Sequence, residues 1–226
     1  MINKDQLRQY ERNKCIVFRK TNEAFGGLSN MAPGYPIKIN DIIIGTTEAL
    51  YQSCRFPDSI DVQKMIIEEK SPMTAKMKSK PFRLQTRQDW EKVRVKIMRW
   101  CLQVKLACNL HKFGQLLLET DDKPIVEDSH KDKFWGTVEN KEEMLEGMNI
   151  LGRLLMELRE LLKKNGKESF KTVDPPQIDN FLLLGKPLPI INLKQAHKDE
   201  EEQKKVPQKP SQLYFDSPLN NRSTDV

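Results

Sequence analysis

Residues 86–109 read TRQDWEKVRVKIMRWCLQVKLACN, the longest stretch of the chain in which apolar side chains keep one spacing. They recur every three or four residues, at Trp90, Val93, Ile97, Trp100 or Cys101, Val104, and Ala107 or Cys108. That spacing places them on one face of an α-helix. The stretch therefore predicts a long amphipathic helix in which Trp100 belongs to the core.

Helical patterns dominate on both sides of this stretch. Residues 46–56, TTEALYQSCRF, begin with threonines suited to a helix cap and end before a proline. Ser71-Pro72 is typical of the first positions of another helix. Residues 111–120 form a shorter periodic segment, and residues 141–166 predict a second long helix that ends at a glycine.

Strand signals are weaker and lie mostly near the N-terminus. The β-branched runs IVFR (16–19) and DIII (41–44) flank a loop rich in glycine and proline, GGLSNMAPGYP at 26–36. KPIVED (123–128) predicts one further strand, and SHKDKFWGTVEN (129–140) a loop. We therefore expect a mainly α fold, a compact helical domain with a small N-terminal β element.

Composition favours one globular domain with an appendage. The chain has 226 residues, 38% hydrophobic and 31% charged, and no window approaches the roughly 18 apolar residues of a membrane helix. The charged N-terminus does not resemble a secretory signal, and the four cysteines show no CxxC pairing. We therefore expect a cytoplasmic protein with reduced thiols and no membrane contact.

The periodic pattern ends after the second long helix. Residues 166–226 are rich in proline and charge, with two apolar patches, FLLLG (181–185) and LPIINL (188–193). This composition predicts a tail that is partly disordered, or that docks through the patches on the domain or a partner. The predicted organisation is an extension over 1–14, a globular domain over 15–165 and this tail.

The net charge of +6 is concentrated in one region. Between Lys76 and Arg99, lysines and arginines far outnumber the two acidic residues, Asp89 and Glu91. Such a run is typical of a solvated helix face, and equally of a surface that contacts phosphates. Interleaved aromatic side chains suit a surface that meets both phosphates and bases. These aromatic residues are Phe82, Trp90 and Trp100.

Familiar catalytic signatures are missing from the sequence. It contains no P-loop, dinucleotide-binding glycine fingerprint, HExxH or GxSxG motif, and its three histidines are far apart. A histidine triad or a metal site is therefore disfavoured. Carboxylates, tryptophans and small polar loop residues remain as candidates.

Two carboxylates and one loop stand out, each with a plainer interpretation. Glu48 lies just inside a helix start, where it either caps an open amide or serves as a catalytic carboxylate. Asp132, beside Phe134 and Trp135, is either a turn residue or an acid whose pKa an aromatic wall raises. The backbone of GGLSN (26–30) either approaches a phosphate or ribose closely or is a simple glycine turn.

In combination these segments are far more specific than any one of them. Seven motifs follow one another along the chain: Phe18-Arg19, GGLSNMAP, TTEALYQSCRF, SPMTAKM, the Trp90 helix, KDKFWG and GMNILGRLLMELRELL. In that order the chain closely resembles the NADAR family of YbiA-like proteins, from about residue 15 to residue 163. The resemblance implies a compact, mostly helical catalytic domain that cleaves N-glycosidic bonds, with no cofactor and no metal.

The resemblance also implies roles for particular residues. One branch of the family hydrolyses the ribosylamino bond of early riboflavin intermediates, and another removes ADP-ribose from guanine bases of DNA, as antitoxin to DarT-type DNA ADP-ribosyltransferases. The family's functional positions fall on Glu48, Trp90 and Asp132. Many relatives carry lysine where this chain has Arg55, so Lys76 is the candidate if the chemistry needs an amine nucleophile.

The remaining matched positions are expected to bind the ligand. Tryptophans stack on a base or adenine, and arginines together with the glycine loop hold phosphate or ribose. The full expected set is Arg19, Gly27, Ser29, Asn30, Gln52, Arg55, Trp90, Trp135, Gly136 and Asn149.

We favour the DNA-directed activity, because a small phosphorylated pyrimidine does not need the basic run over residues 76–99. The expected partners are DNA carrying ADP-ribosylated guanine, ADP-ribose as product, and a DarT-type toxin, with the protein as a monomer. The alternatives are a riboflavin-pathway N-glycosidase and a non-catalytic module that binds ADP-ribose or NAD. In a third alternative the tail is the functional part and the domain its scaffold.

Overall fold

Six α-helices and eleven short strands make up the computed structural model, which describes residues 4–192. The helices are α1 (Thr47–Ser53), α2 (Ile60–Glu68), α3 (Pro72–Ser79), α4 (Trp90–Cys108), α5 (Leu110–Leu118) and α6 (Ile150–Asn165). The strands are β1 (Arg8–Glu11), β2 (Ile16–Phe18), β3 (Ile37–Ile39), β4 (Ile42–Ile44), β5 (Ile125–Glu127), β6 (Val138–Glu139), β7 (Met144–Gly147), β8 (Thr172–Val173), β9 (Leu182–Leu183), β10 (Lys186–Pro187) and β11 (Ile191–Asn192).

Helix α4 lies at the centre of this part of the molecule. It contacts α1, α5 and α6, as well as strands β3, β8 and β11. Its buried side includes Ile97, Trp100, Cys101 and Val104, which confirms the predicted amphipathic helix and the core position of Trp100. The apolar face of this helix is thus the surface on which the other elements pack.

The strands pair in five small sheets within residues 4–192. β1, β7 and β6 form a three-stranded antiparallel sheet, and β3 and β4 form a hairpin. β2 and β5 pair in parallel although they are far apart in the sequence, and this register sets Phe18 opposite Glu127. The parallel pair therefore joins the N-terminal part of the domain to the segment that follows α5.

The expectation of a mainly α fold is wrong, because the structure is mixed α/β, with small sheets alongside the helices. Each strand has only two to four residues, too few for a period-two pattern to show in the sequence. The helix predicted over 141–166 is wrong in its first part, where Met144–Gly147 forms strand β7. Glu143 and Asn149, on either side of this strand, adopt positive φ angles of 59° and 49°. A right-handed helix does not continue through left-handed residues, so β7 forms between them and α6 begins at Ile150.

Residues 170–192, here called the C-terminal strap, pack against the helices. The Phe181 ring meets Trp100 edge-on, with ring centroids 5.1 Å apart. The two apolar patches of the sequence supply the buried side chains Phe181, Leu183, Leu188 and Ile191. The strap is therefore part of the core, and residues 193–226 of the predicted tail lie outside the described residues.

A buried glutamine holds the strap in place. Gln63, on α2, has no exposed surface. Its Nε2 donates to the carbonyls of Ser53 and Leu182, each at 3.0 Å, and its Oε1 accepts from the N–H of Leu184 at 2.6 Å. This side chain replaces water for backbone groups that no neighbouring strand pairs.

The N-terminal segment also takes part in the fold. β1, which lies within the predicted extension over residues 1–14, pairs with β7 from Arg8 opposite Gly147 to Glu11 opposite Met144. No disulfide links the four cysteines, all of which lie in the described part. Between residues 4 and 192, none of the helices combines the length and apolarity needed to cross a bilayer.

Replacing Gln63 by alanine removes the partner of the buried carbonyl of Ser53 and of the part-buried backbone groups of Leu182 and Leu184. We expect the free energy of unfolding to fall by about 2–4 kcal/mol, because each unpaired buried group costs about 1–3 kcal/mol. Urea denaturation followed by circular dichroism measures the change. Gln88→Ala, at an exposed position, is the control and should shift stability by less than about 0.5 kcal/mol. Equal losses in the two variants would contradict the anchoring role of Gln63.

Candidate active site

Glu48 lies in the first turn of α1, a helix whose residues are all buried. The cap of this helix is Thr46, whose Oγ1 accepts from the N–H of Ala49 at 3.2 Å. Oε1 of Glu48 instead accepts from Nε2 of Gln52 at 2.9 Å and lies 4.0 Å from Nζ of Lys76. Glu48 is therefore a largely desolvated carboxylate beside an ammonium group, and its side chain leaves the capping to Thr46.

The glycine-rich loop supports the backbone of Glu48. The carbonyl of Asn30 accepts from the N–H of Glu48 at 3.0 Å. The carbonyls of Gly27 and Ser29 accept from Nζ of Lys105, at 2.6 and 3.1 Å. The loop is thus attached to α4 on one side and to α1 on the other.

Three buried polar atoms, on residues that adjoin or bond to Glu48, have no hydrogen-bond partner among the described residues: Asn30 Oδ1, Thr47 Oγ1 and Gln52 Oε1. Buried polar groups in folded proteins are nearly always paired, and leaving one unpaired costs about 1–3 kcal/mol. Unpaired atoms grouped beside one carboxylate are typical of a site that receives the hydroxyl and amide groups of a ligand.

Glu127 is a second glutamate of the site, which the sequence interpretation missed. It ends β5, and its N–H donates to Oδ1 of Asn149 at 3.2 Å. A Cβ at position 136 would lie 3.1 Å from Oε2 of Glu127 and 2.7 Å from its carbonyl oxygen. The missing side chain of Gly136 therefore leaves the room that Glu127 occupies.

Four ionisable groups from separate elements meet at this point. Burial raises the pKa of Glu127 to about 7, the charges of Asp132 and Glu48 add to the rise, and Lys76 opposes it. A carboxyl group with a pKa near 7 retains its proton at neutral pH in a large share of the molecules. The site therefore combines a carboxyl group able to donate a proton with carboxylates able to stabilise positive charge.

Asp132 is exposed and shapes a turn. Its Oδ1 accepts from the N–H groups of Phe134 and Trp135, both at 2.9 Å, and its own N–H donates to Oγ of Ser129 at 3.1 Å. The turn interpretation of this residue is thus seen in the structure, and its charge also acts on Glu127. Asp132 orders the loop that carries Trp135 and adds negative charge to the site.

An aromatic wall stands next to Glu48. The ring of Tyr51 lies 5.0 Å from that of Trp90 and 5.6 Å from that of Trp135. Burial, and then the charge of Glu48, raises the pKa of the Tyr51 hydroxyl. The guanidinium of Arg55 lies 5.5 Å from the Trp90 ring. Since Tyr51 and Trp90 are buried and Trp135 is partly exposed, Trp135 is the member of the wall that a ligand reaches.

Some of the predicted ligand-binding residues serve the scaffold. Asn149 is fully buried. Its side-chain amide donates to the carbonyl of Ile125 and accepts from the N–H of Glu127, so it positions β5. Gly27 and Ser29 offer their carbonyls to the core. Arg19 follows β2, and its exposed guanidinium contacts the ring of His130.

Glu127 and Lys105 each left a signal in the sequence. Glu127 directly follows the apolar pair Ile125-Val126 of a predicted strand, and strand ends commonly present functional side chains. Lys105 stands inside the apolar run of residues 104–108, where a charged residue requires buried partners. Across residues 4–192, no group of three His, Cys, Asp or Glu side chains is arranged to hold a metal ion.

Comparison with known proteins gives consistent matches over this region. The family model described as the NADAR domain matches residues 17–163, a range that includes every site residue described above. N-glycosidase YbiA of Escherichia coli (strain K12) is 30% identical over 161 residues, which cover 71% of this chain and 96% of that protein. N-glycosidase Npun_R5314 of Nostoc punctiforme is 33% identical over 150 residues, covering 66% of this chain and 92% of that protein.

Two further matches concern a larger protein and a solved structure. The chloroplastic riboflavin biosynthesis protein PYRR of Zea mays is 33% identical over 168 residues, covering 68% of this chain but 26% of that protein. The NMR structure of the Escherichia coli protein YbiA is similar with a TM-score of 0.56 at 30% identity, and the match covers 70% of this chain and 94% of that one. The similarity therefore extends to the fold.

Ionising Glu127 is costly in the folded protein, because its folded pKa of about 7 exceeds that of an unfolded glutamate. Stability is therefore lost as the pH rises from about 4 to 7 and is not regained above it. Glu127→Gln removes this cost, so we expect the free energy of unfolding at pH 8 to rise by about 1–3 kcal/mol, with no gain at pH 4. Urea denaturation at both pH values measures the effect.

The exposed variant Glu142→Gln is the control for this experiment and should show no pH-dependent gain. If Glu127→Gln is no more stable than the wild type at pH 8, Glu127 is not the desolvated acid of the site.

Proposed function

This chain belongs to the NADAR domain family, and we propose that it is the N-glycosidase that removes ADP-ribose from guanine bases of DNA. Its relatives named N-glycosidase cover most of the described chain at about a third identity, so the reaction class is hydrolysis of an N-glycosyl bond. The DNA-linked substrate and a role as antitoxin to a DarT-type DNA ADP-ribosyltransferase are our proposal.

The placement of the buried Glu127 within electrostatic reach of Glu48 is the observation that carries the chemistry. Cleavage of a ribose–base bond passes through an oxocarbenium-like state at the anomeric carbon of the ribose. Glu127 retains a proton near neutral pH and donates it to the departing base. Glu48 stabilises the positive charge of the ribose or takes a proton from the attacking water. The hydrogen bond from Gln52 orients the Glu48 carboxylate.

Lys76 adds a third functional group at 4.0 Å from Glu48. Its ammonium attracts the phosphates of an ADP-ribosyl group. In a covalent variant, the neutral Lys76 amine forms a Schiff base with C1 of the opened ribose as the base departs. Water then hydrolyses this intermediate and restores the amine. Both routes release the same products.

The aromatic wall and the unpaired polar atoms suit the two ends of such a substrate. Partly exposed Trp135 offers a face to a base or adenine, a contact worth about 1–3 kcal/mol. Asn30 Oδ1, Thr47 Oγ1 and Gln52 Oε1 accept hydrogen bonds from ribose hydroxyls near Glu48.

The charge of the surrounding surface favours a polymeric substrate. Between Glu69 and Asp89 the sequence has no acidic residue, and it contains Lys76, Lys80 and Arg83 on the exposed side. A second candidate function is cleavage of a ribosylamino-pyrimidine phosphate, because relatives from Zea mays and Vibrio vulnificus carry riboflavin biosynthesis names. A small substrate leaves the acid-free stretch without a role.

Two substrates offered separately test the proposal: a DNA oligonucleotide with ADP-ribosylated guanine, and the ribosylamino-pyrimidine phosphate. We expect the wild type to release ADP-ribose from the oligonucleotide. Glu48→Gln and Glu127→Gln should each lower kcat by about 10²–10⁴-fold, the usual worth of acid–base groups. Glu68→Gln, an exposed change on α2, is the control. Cleavage of the ribosylamino-pyrimidine phosphate alone would refute the DNA assignment. Binding of ADP-ribose without turnover of either substrate would indicate a non-catalytic binding module.

The pH dependence of kcat distinguishes the roles of the two glutamates. If Glu127 supplies the proton, kcat of the wild type falls as the pH rises above about 7, where Glu127 loses that proton. The residual activity of Glu127→Gln should lack this alkaline decline, whereas that of Glu48→Gln should keep it. A decline that persists in Glu127→Gln would assign the proton to another group.

A further inference from the structure

The segment from Lys70 to Gln88 combines exposed apolar and basic side chains. It contains α3 and the 3-10 helix Lys80–Gln85, and it has no acidic residue. Three large apolar side chains stand in solvent: Met73 is 54% exposed, Met77 57% and Leu84 100%. In a folded domain such side chains, set among cations, mark a contact surface.

Several exposed residues of α3 share one side. Met73, Met77 and Lys80 follow at helical spacings of four and three, whereas Ala75 and Ser79 face the core. The exposed face is therefore built from alternating apolar and positive groups. We call Met73, Met77 and Leu84 the apolar edge.

This edge borders the candidate active site. Lys76, between Met73 and Met77, reaches to 4.0 Å from Glu48. At the other end of the segment, burial and then the charge of Arg83 lower the pKa of Arg55, which lies against the Trp90 ring. A nucleic-acid strand bound in the site would therefore have this edge beside it.

We propose that the apolar edge inserts beside the modified guanine of duplex DNA and holds that base out of the stack, in reach of Glu48 and Glu127. This inference rests on the proposed function. Enzymes that act on a base in a duplex must extrude it, and architectural proteins part base steps with Met, Leu or Phe wedges. Lys80 and Arg83 are placed to contact the flanking phosphates.

Nucleic acid fits this surface better than a protein or a membrane does. The apolar side chains are separated by cations, whereas a protein-binding groove joins its apolar residues in one patch. A membrane surface would also accept cations with apolar groups, but it offers no group to the adjoining cleft. The continuity of the edge with the site through Lys76 is the feature that selects a strand of DNA.

The test measures kcat/KM of the full chain on three substrates that carry the same linkage: ADP-ribosylated guanosine, a single-stranded oligonucleotide and its duplex. The variants are Met77→Ser and Leu84→Ser, whose exposed side chains contribute little to the core. Ile190→Ser is the matched control, because Ile190 is as exposed as Met77, at 57%, but lies on the C-terminal strap.

We expect both edge variants to lose about tenfold on the duplex, with less than about a twofold change on the nucleoside and an intermediate loss on the single strand. The control should match the wild type on all three. Equal rates of variants and wild type on the duplex would overturn the edge while leaving the glycosidase intact, and would point to a protein or membrane contact. If the wild type cleaves none of the three substrates, the proposed function itself is wrong.

Discussion

One buried lysine joins the centre of the fold to the candidate site. Nζ of Lys105, on α4, is fully buried and donates to the carbonyls of Gly27 and Ser29. It also lies 4.1 Å from the ring centroid of Phe113, so the charge meets a π-face as well as two oxygens. Burial, and then the charge of Lys112, lowers its pKa to about 7. The loop that Lys105 holds then accepts the N–H of Glu48 through Asn30.

A comparable contact occurs at the other glutamate of the site. Asn149 bonds to the backbone of β5, just as Lys105 bonds to the backbone of the glycine-rich loop. A single buried amide bonds to the backbone of both Ile125 and Glu127. Gly136 completes the arrangement by contributing no atoms beyond its backbone. Glu48 and Glu127 thus lie on short segments, α1 and β5. Lys105 on α4 and Asn149 at the start of α6 fix the backbone around these segments.

The sequence predicted those parts of the structure in which a pattern repeats over many residues or a motif is contiguous. The face of α4 repeats over 19 residues, so its period is readable, and Glu48 could be located because its motif is linear. Strands of two to four residues carry no such period, and the positive φ of Asn149 that separates β7 from α6 is a property of one residue. Glu127 escaped notice because its pKa arises from burial and from charges on three other segments, which no local pattern records.

The C-terminal strap extends the packed core beyond the residues that match the family. The match to the family ends at residue 163, yet Phe181 packs on Trp100 and Gln63 serves the backbone of Leu182 and Leu184, well beyond that point. The segment that matches the family and the segment that packs into one core therefore end at different residues. A chain cut at the end of the family match would lose Phe181 and Leu183 from its hydrophobic interior, together with the backbone groups that bond to Gln63.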